Sequence, residues 1–173
     1  MELLKSKIRS VPDFPRAGIL FYDITTLLRD RDGFQLTIEA LARPFERSEI
    51  DVVVGVESRG FILGGAVADR LGAGFAPVRK KGKLPSTTVQ EIYDLEYGTD
   101  CLEIHSDAVE AGQRVLIIDD VLATGGTAAA TTALVRKLGG AVQALAFLVE
   151  LEFLNGRSKI PNETVYSVLK YAE

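Results

Sequence analysis

Short aliphatic runs alternate along the chain with segments in which apolar residues recur every three or four positions. Three of the runs have the length and β-branched content of strands buried on both faces, at 52–56, 115–118 and 142–149. Helical spacing marks three other segments, at 34–45, 61–71 and 127–138. Strands that alternate with helices predict a doubly wound α/β fold with a mostly parallel sheet.

The N-terminal segment departs from this alternation. Between residues 2 and 11 the apolar positions fall on one side of a helical projection, so we expect a short amphipathic helix there. Pro12 and Pro15 would end this helix and begin an extended segment over 14–24.

The middle of the chain also departs from it. A short strand is expected at 75–78, and apolar residues alternate with polar ones around 101–105, which is typical of a strand with one wet face. We therefore predict an inserted antiparallel hairpin with a long loop over 86–99. A last strand is expected at 164–171.

The most informative stretch follows the strand at 115–118. It contains two adjacent carboxylates and then a loop of small residues, in the order Asp119, Asp120, Ala123, Thr124, Gly125, Gly126 and Thr127. A glycine-rich turn that opens a helix offers free backbone N–H groups at the positive end of the helix dipole, which suits a phosphate. Ionised carboxylates only accept hydrogen bonds, so they suit a vicinal diol or a divalent cation.

A ligand with a diol close to a phosphate is a ribose 5-phosphate. One of the two acids could instead cap the turn that follows, as happens in many α/β domains. A Walker A loop is excluded because no lysine follows Gly126.

A second strand–turn–helix unit ends its strand in Glu57, Ser58, Arg59 and Gly60. In a parallel sheet both turns would lie at the carboxyl ends of their strands and face one crevice. Arg59 could bind an anion bidentately together with backbone N–H groups, or it could form an ion pair with Glu57 or a nearby acid; these residues alone leave the two interpretations balanced.

A basic run follows the short strand at 75–78, in a chain whose net charge is −4. The run could supply cations to an anion; we expect Lys80 and Lys83 to be solvated and assign Arg79 to the anion.

Composition limits the class of protein. The chain has 173 residues, 47% hydrophobic and 25% charged, with no linker, so we expect one soluble domain. The acidic balance argues against nucleic-acid binding, and one cysteine with one histidine cannot form a disulfide or a zinc site. No run approaches the ~20 apolar residues that cross a bilayer, and residues 1–7 lack a signal-peptide core. We expect a cytoplasmic protein without membrane contact.

Four blocks of sequence resemble the adenine phosphoribosyltransferases, a branch of the type I phosphoribosyltransferase family. They are F-P-R-A-G-I-L-F-Y-D-I-T at 14–25, V-E-S-R-G-F at 56–61, R-K-K-G-K-L-P with Y-D-L-E-Y-G within 79–98, and V-L-I-I-D-D-V-L-A-T-G-G-T at 115–127. The last block is shared by many phosphoribosyltransferases, whereas the first and third indicate the adenine enzymes. Ala17 and Tyr22 depart from the family pattern, which often has proline and arginine there.

The resemblance implies an enzyme, a pentosyltransferase of the glycosyltransferase class. Such an enzyme converts adenine and phosphoribosyl pyrophosphate to AMP and pyrophosphate in purine salvage. The resemblance also implies Mg²⁺ bound through the substrate without a firm protein ligand, a homodimer, and an N-terminal hood over about residues 1–33 that covers the base.

The resemblance further implies roles for particular residues. The catalytic pair would be Glu96 and Arg59. The 5′-phosphate would be bound by Ala123, Thr124, Gly125, Gly126 and Thr127, and the ribose hydroxyls by Asp119 and Asp120. Pyrophosphate would be bound by Ser58, Arg59 and Arg79. The base would be bound by Leu20, Phe21, Tyr22 and Leu151.

Two other functions remain open at this stage. One is a phosphoribosyltransferase that acts on a 6-oxopurine. The other is a non-catalytic regulator that senses phosphoribosyl pyrophosphate, although such a protein commonly carries a basic face or an added domain.

Overall fold

The computed structural model describes residues 1–94 and 98–172. Its helices are α1 (Glu2–Ser6), α2 (Thr25–Arg29), α3 (Arg31–Ala42), α4 (Arg59–Leu71) and α5 (Gly126–Lys137). Its strands are β1 (Arg9–Pro12), β2 (Leu20–Asp23), β3 (Val52–Val56), β4 (Gly74–Lys80), β5 (Thr88–Asp94), β6 (Thr99–His105), β7 (Arg114–Leu122), β8 (Ala141–Leu151) and β9 (Val165–Tyr171). Short 3₁₀ turns occupy Arg43–Phe45, Glu152–Leu154 and Gly156–Lys159.

The central sheet has seven strands in the order β5-β6-β4-β3-β7-β8-β9. Strands β4, β3, β7, β8 and β9 run parallel, whereas β6 is antiparallel to both β4 and β5. One apolar cluster lies on each face of the sheet, with α3 and α4 on one side and α5 on the other. The doubly wound α/β fold and its inserted antiparallel hairpin are thus confirmed.

The predicted helix over 2–11 is wrong beyond Ser6. Residues 9–12 form β1, which pairs antiparallel with β2 in a separate two-stranded sheet, and Arg9 lies opposite Asp23. The Arg9 Nε–H donates to Asp23 at 3.1 Å, so a contact between segments 14 residues apart wins over the local helical pattern.

The predicted loop over 86–99 is also wrong in part, because β5 occupies Thr88–Asp94 and pairs with β6 along its whole length. Val89 and Tyr93 pack against the apolar cluster under α5, while Glu91 forms an ion pair with Lys137 on that helix. Val89, Glu91 and Tyr93 thus share the face of β5 that packs on α5, and this contact between segments is not visible in the sequence of the strand.

Among the described residues, no helix combines the length and apolar character needed to cross a membrane.

Candidate active site

The two adjacent carboxylates lie within β7, near its carboxyl end, because the strand continues to Leu122. The sequence alone predicts them after the strand. Asp119 and Asp120 are only 9% and 7% exposed. The Asp120 N–H donates to Asp119 Oδ1 at 2.8 Å. A Cβ on Gly60 would meet Asp119 Oδ1 at 3.0 Å, so a glycine there lets the start of α4 approach the acids.

Arg59 forms its ion pair with Asp120, across the gap between the two strand–turn–helix units. The ion pair that the sequence left open is therefore formed, with Asp120 as the nearby acid and not with Glu57. Burial acts to lower the pKa of Arg59, but the charge of Asp120 and its hydrogen bond outweigh burial and raise that pKa.

The pKa of the Asp119 carboxyl is also raised, but here the neutral form is favoured. Burial, and then the negative charge of Asp120 beside it, raise this pKa well above the usual range. Perturbed titrating groups of this kind cluster at functional sites.

The loop of small residues forms a tight cradle between β7 and α5. Gly125 has φ +81°, in the left-handed region, and α5 begins at the next residue. A cavity of about 70 Å³ is lined by this loop, by Asp119 and by Phe147. The free N–H groups of the first helical turn therefore surround a space that is small and polar, as a phosphate site requires.

Strand β5 lies against this cradle. A Cβ on Gly126 would come within 3.2 Å of the Tyr93 ring, and the Tyr93 hydroxyl donates to Asp100 Oδ2 on β6 at 3.4 Å. Lys137 Nζ donates to the Gln90 carbonyl at 2.7 Å and so fixes the strand to α5. The sequence alone does not single out Tyr93, because its position beside the cradle depends on the pairing of β5 with β6.

The basic run is organised by one buried carboxylate. Glu57 accepts hydrogen bonds from Arg79 Nε and from Lys83 Nζ, each at 2.9 Å, and the Arg79 guanidinium lies 5.8 Å from the Phe61 ring. Lys80 Nζ lies 3.0 Å from an Asp100 carboxylate oxygen. Lys80 and Lys83 are exposed to solvent, as expected, with side chains 56% and 48% accessible, and each also has an acidic partner that the sequence did not indicate.

The segment predicted to hold the base is β2. The Phe21 ring packs edge-on against Phe14 at 5.2 Å, and the Arg59 guanidinium lies 6.0 Å from the same ring. Tyr22 instead places its ring 4.0 Å from that of Tyr171 in β9.

The other proposed site residues lie at separate positions. Leu20 is exposed, and Leu151 ends β8 beside the apolar cluster. Ser58 caps α4 without a side-chain hydrogen bond. Glu96 lies outside the described residues.

Comparisons with known proteins place this arrangement in a family. The family model for the phosphoribosyl transferase domain matches residues 24–170. An adenine phosphoribosyltransferase of Acidobacterium capsulatum is 60% identical over 172 residues, which span 99% of this chain and 95% of that protein.

Solved structures agree with this family. An adenine phosphoribosyltransferase from Rhodothermus marinus superposes with a TM-score of 0.94 at 58% identity, covering 98% of this chain and 97% of that one. Another, from Saccharomyces cerevisiae, is a complex with an imino-altritol bisphosphate and adenine. Its TM-score is 0.92 at 44% identity, with 97% of each chain covered.

The parallel sheet, the paired carboxylates and the glycine cradle that follows them define a pentosyltransferase that handles a phosphoribosyl group. More narrowly, the chain belongs to the adenine phosphoribosyltransferase family, whose enzymes act in purine salvage.

Proposed function

We propose that this protein converts adenine and phosphoribosyl pyrophosphate to AMP and pyrophosphate in purine salvage. The observation that carries this proposal is the meeting of three elements at one edge of the sheet: the acid pair of β7, the glycine cradle and Arg59. The similarity to enzymes that are named for adenine supplies the base.

The roles of the residues follow the order of groups along the substrate. The 5′-phosphate lies on the N–H groups of the cradle, and the ribose hydroxyls donate to Asp119 and Asp120. Pyrophosphate is bound by Arg59, the Ser58 turn and Arg79. The base stacks on Phe21 and is read through the backbone of Leu20 and Tyr22, with Leu151 closing the far side.

Tyr22 supports a backbone role because its ring is already engaged with Tyr171. A side chain packed in this way is not available to read the edge of a base. The replacement of the family's common arginine by Tyr22 is therefore compatible with base recognition in this chain.

Cleavage of the C1–O bond leaves a cation-like ribose and expels a highly charged pyrophosphate. Arg59 would exchange its ion pair with Asp120 for one with the pyrophosphate. There it would stabilise the leaving group, which carries more charge in the transition state than in the substrate. Glu96 is proposed to approach the base and handle its N7 or N9 proton. Strand β5 closes one side of the site and limits the access of water.

Mg²⁺ is proposed to arrive with the substrate. The described residues contain no cluster of three or more side chains suited to a metal, and the two carboxylates of β7 make too small a donor set on their own. The ion would be held through the substrate, without a firm protein ligand. When bound, the ion neutralises part of the charge on the leaving group.

Three further proposals concern the whole protein. Residues 1–173 form one domain whose first ~33 residues are a hood over the base, supported by the β1–β2 pair that carries Phe21. A homodimer is supported by the exposed Ile62 on α4 and Phe75 on β4. A cytoplasmic location fits a chain with a single, free cysteine.

The proposed reaction is tested by incubating the protein with phosphoribosyl pyrophosphate, Mg²⁺ and one purine base at a time. Formation of AMP from adenine is the expected result. Turnover of hypoxanthine or guanine but not adenine would identify a 6-oxopurine enzyme. Tight binding of phosphoribosyl pyrophosphate without any nucleotide product would identify a regulator.

Arg59→Ala is expected to lower kcat/KM for phosphoribosyl pyrophosphate by about 100-fold, since it removes the cation nearest the leaving group. The KM for adenine should change much less, and the far-ultraviolet circular dichroism should stay native. Arg70→Ala is the matched control, because Arg70 forms an exposed ion pair with Glu46 at 3.0 Å on the same helix. Equal kinetics in the two variants would remove Arg59 from the site.

A further inference from the structure

The loop between β8 and β9 packs backbone to backbone against the glycine cradle. A Cβ on Gly156 would lie 2.3 Å from the Ala123 carbonyl oxygen and 3.1 Å from the Gly125 nitrogen. In the other direction, a Cβ on Gly125 would lie 2.2 Å from the Gly156 carbonyl oxygen. The two loops can approach this closely only because both residues are glycine, so the position of one loop determines the position of the other.

The residue after Gly156 is anchored to the sheet by a two-pronged ion pair. Arg157 Nε donates to Glu150 Oε1 at 2.6 Å and Arg157 Nη2 donates to Glu150 Oε2 at 2.8 Å. The third guanidinium nitrogen, Nη1, donates to the Val165 carbonyl at 3.2 Å. The guanidinium thus joins β8 to the start of β9, and its planar fork holds the loop in one orientation.

Glu150 is well placed to be the fixed end of this pair. It is only 4% exposed and lies opposite Leu122 of β7, just before the cradle begins. It also directly precedes Leu151, the residue proposed to close the base pocket. Lys170 does not replace Arg157, because its ammonium group is 4.0 Å from Glu150 and is engaged with Glu152 at 2.8 Å.

We propose that Glu150 and Arg157 are positioning residues that hold Gly156 against the glycine cradle and so keep its N–H groups aimed at the 5′-phosphate. This inference rests on the proposed assignment of the cradle to that phosphate. In this proposal the pair does not contact the substrate. It acts through the backbone of Gly156, which fixes the shape of the cradle from behind.

The identity of the cation matters in this arrangement. A lysine in place of Arg157 keeps the charge but supplies one point of attachment, so it cannot donate to both Glu150 oxygens and to the Val165 carbonyl in one plane. We therefore expect the positive charge of a lysine to restore little of the function, because the function depends on the planar geometry of the arginine.

The test compares Arg157→Met and Arg157→Lys with Arg136→Met. Arg136 is a matched control because it also pairs with a buried glutamate, Glu163, at 2.6 Å, on the face of α5 away from the cradle. Wild-type protein is assayed in parallel for AMP formation and for ribose 5-phosphate binding by calorimetry, so failure of the proposed function is recognised independently.

Both Arg157 variants should raise the KM for phosphoribosyl pyrophosphate and the Kd for ribose 5-phosphate by about tenfold or more. We expect the KM for adenine and kcat to change by less than about twofold, as for a misaligned phosphate site. Arg136→Met should lower Tm by a similar amount without either effect. If Arg157→Met lowers Tm but leaves both phosphate constants at wild-type values, the pair is only structural and the inference is wrong.

Discussion

Replacement of Gly125 by alanine is expected to lower kcat/KM for phosphoribosyl pyrophosphate by at least about 100-fold while the sheet stays folded. Two penalties combine at this position. The backbone has φ +81°, which costs an L-residue roughly 1–2 kcal/mol. The new methyl group would also sit 2.2 Å from the Gly156 carbonyl oxygen, and a backbone atom cannot swing aside as a side chain can. The cradle must therefore change shape.

Gly112→Ala separates the two penalties. Gly112 has φ +85°, but a Cβ there would meet nothing within 4 Å, so this variant carries the conformational cost without the collision. We expect both variants to lose some thermal stability and only Gly125→Ala to lose phosphate binding. The measurements are Tm and calorimetric titration with ribose 5-phosphate. Normal binding by Gly125→Ala would show that the cradle does not depend on this close packing.

Asp119→Asn should have two opposite effects: a loss of activity of about 100-fold or more, and a gain in stability at neutral pH. Activity falls because the variant loses a charged acceptor for the ribose. Stability rises because asparagine keeps the Oδ1 acceptor for the Asp120 N–H and removes a buried charge beside another carboxylate. A gain of about 1 kcal/mol would raise Tm by roughly 2–4 °C in a chain of this size.

The direction of the pH dependence follows from the raised pKa of Asp119. The folded state holds a proton there at pH values where the unfolded chain, with an ordinary carboxyl, has already lost it. The destabilising contribution of Asp119 is therefore present in full above its folded pKa and disappears as the pH falls toward 3.8. We expect the Tm advantage of Asp119→Asn to shrink over the same range.

Asp51→Asn is the control with the opposite sign. Hydrogen bonds from Arg114 lower the pKa of Asp51 to about 2. Its stabilising contribution is present above pH 3.8 and is lost as the pH falls through about 2, so this variant should be less stable than the wild type at neutral pH. Destabilisation by both substitutions would contradict the argument for Asp119.

The order of elements at the site could be predicted from the sequence because its parts are consecutive in the chain. The strand, the two acids, the glycine loop and the start of the helix lie within 13 neighbouring residues at 115–127, although the structure places the acids inside the strand and not after it. Arg59 could be placed at the same edge of the sheet because β3 and β7 run parallel. Its partner could not, since the choice among Glu57 and the other nearby acids depends on the packing of α4.

Other features depend on contacts between distant segments, which periodicity does not encode. Strand β1 forms because it pairs with β2, and β5 forms because it pairs with β6 and packs one face on α5. The support of the cradle by Gly156 is likewise invisible in the sequence. The sequence predicts a turn at Asn-Gly-Arg after a buried strand, but its contact with the cradle follows only from the pairing of β8 with β7.

The ion pair between Arg59 and Asp120 links the two halves of the proposed site. On the proposed assignment, ribose 5-phosphate or pyrophosphate alone would separate the pair and leave one of its members without a counter-charge. A molecule that carries both groups would compensate both members in a single binding event. We therefore expect the intact donor to bind more tightly than its fragments predict, and the re-formed pair to favour release of the products.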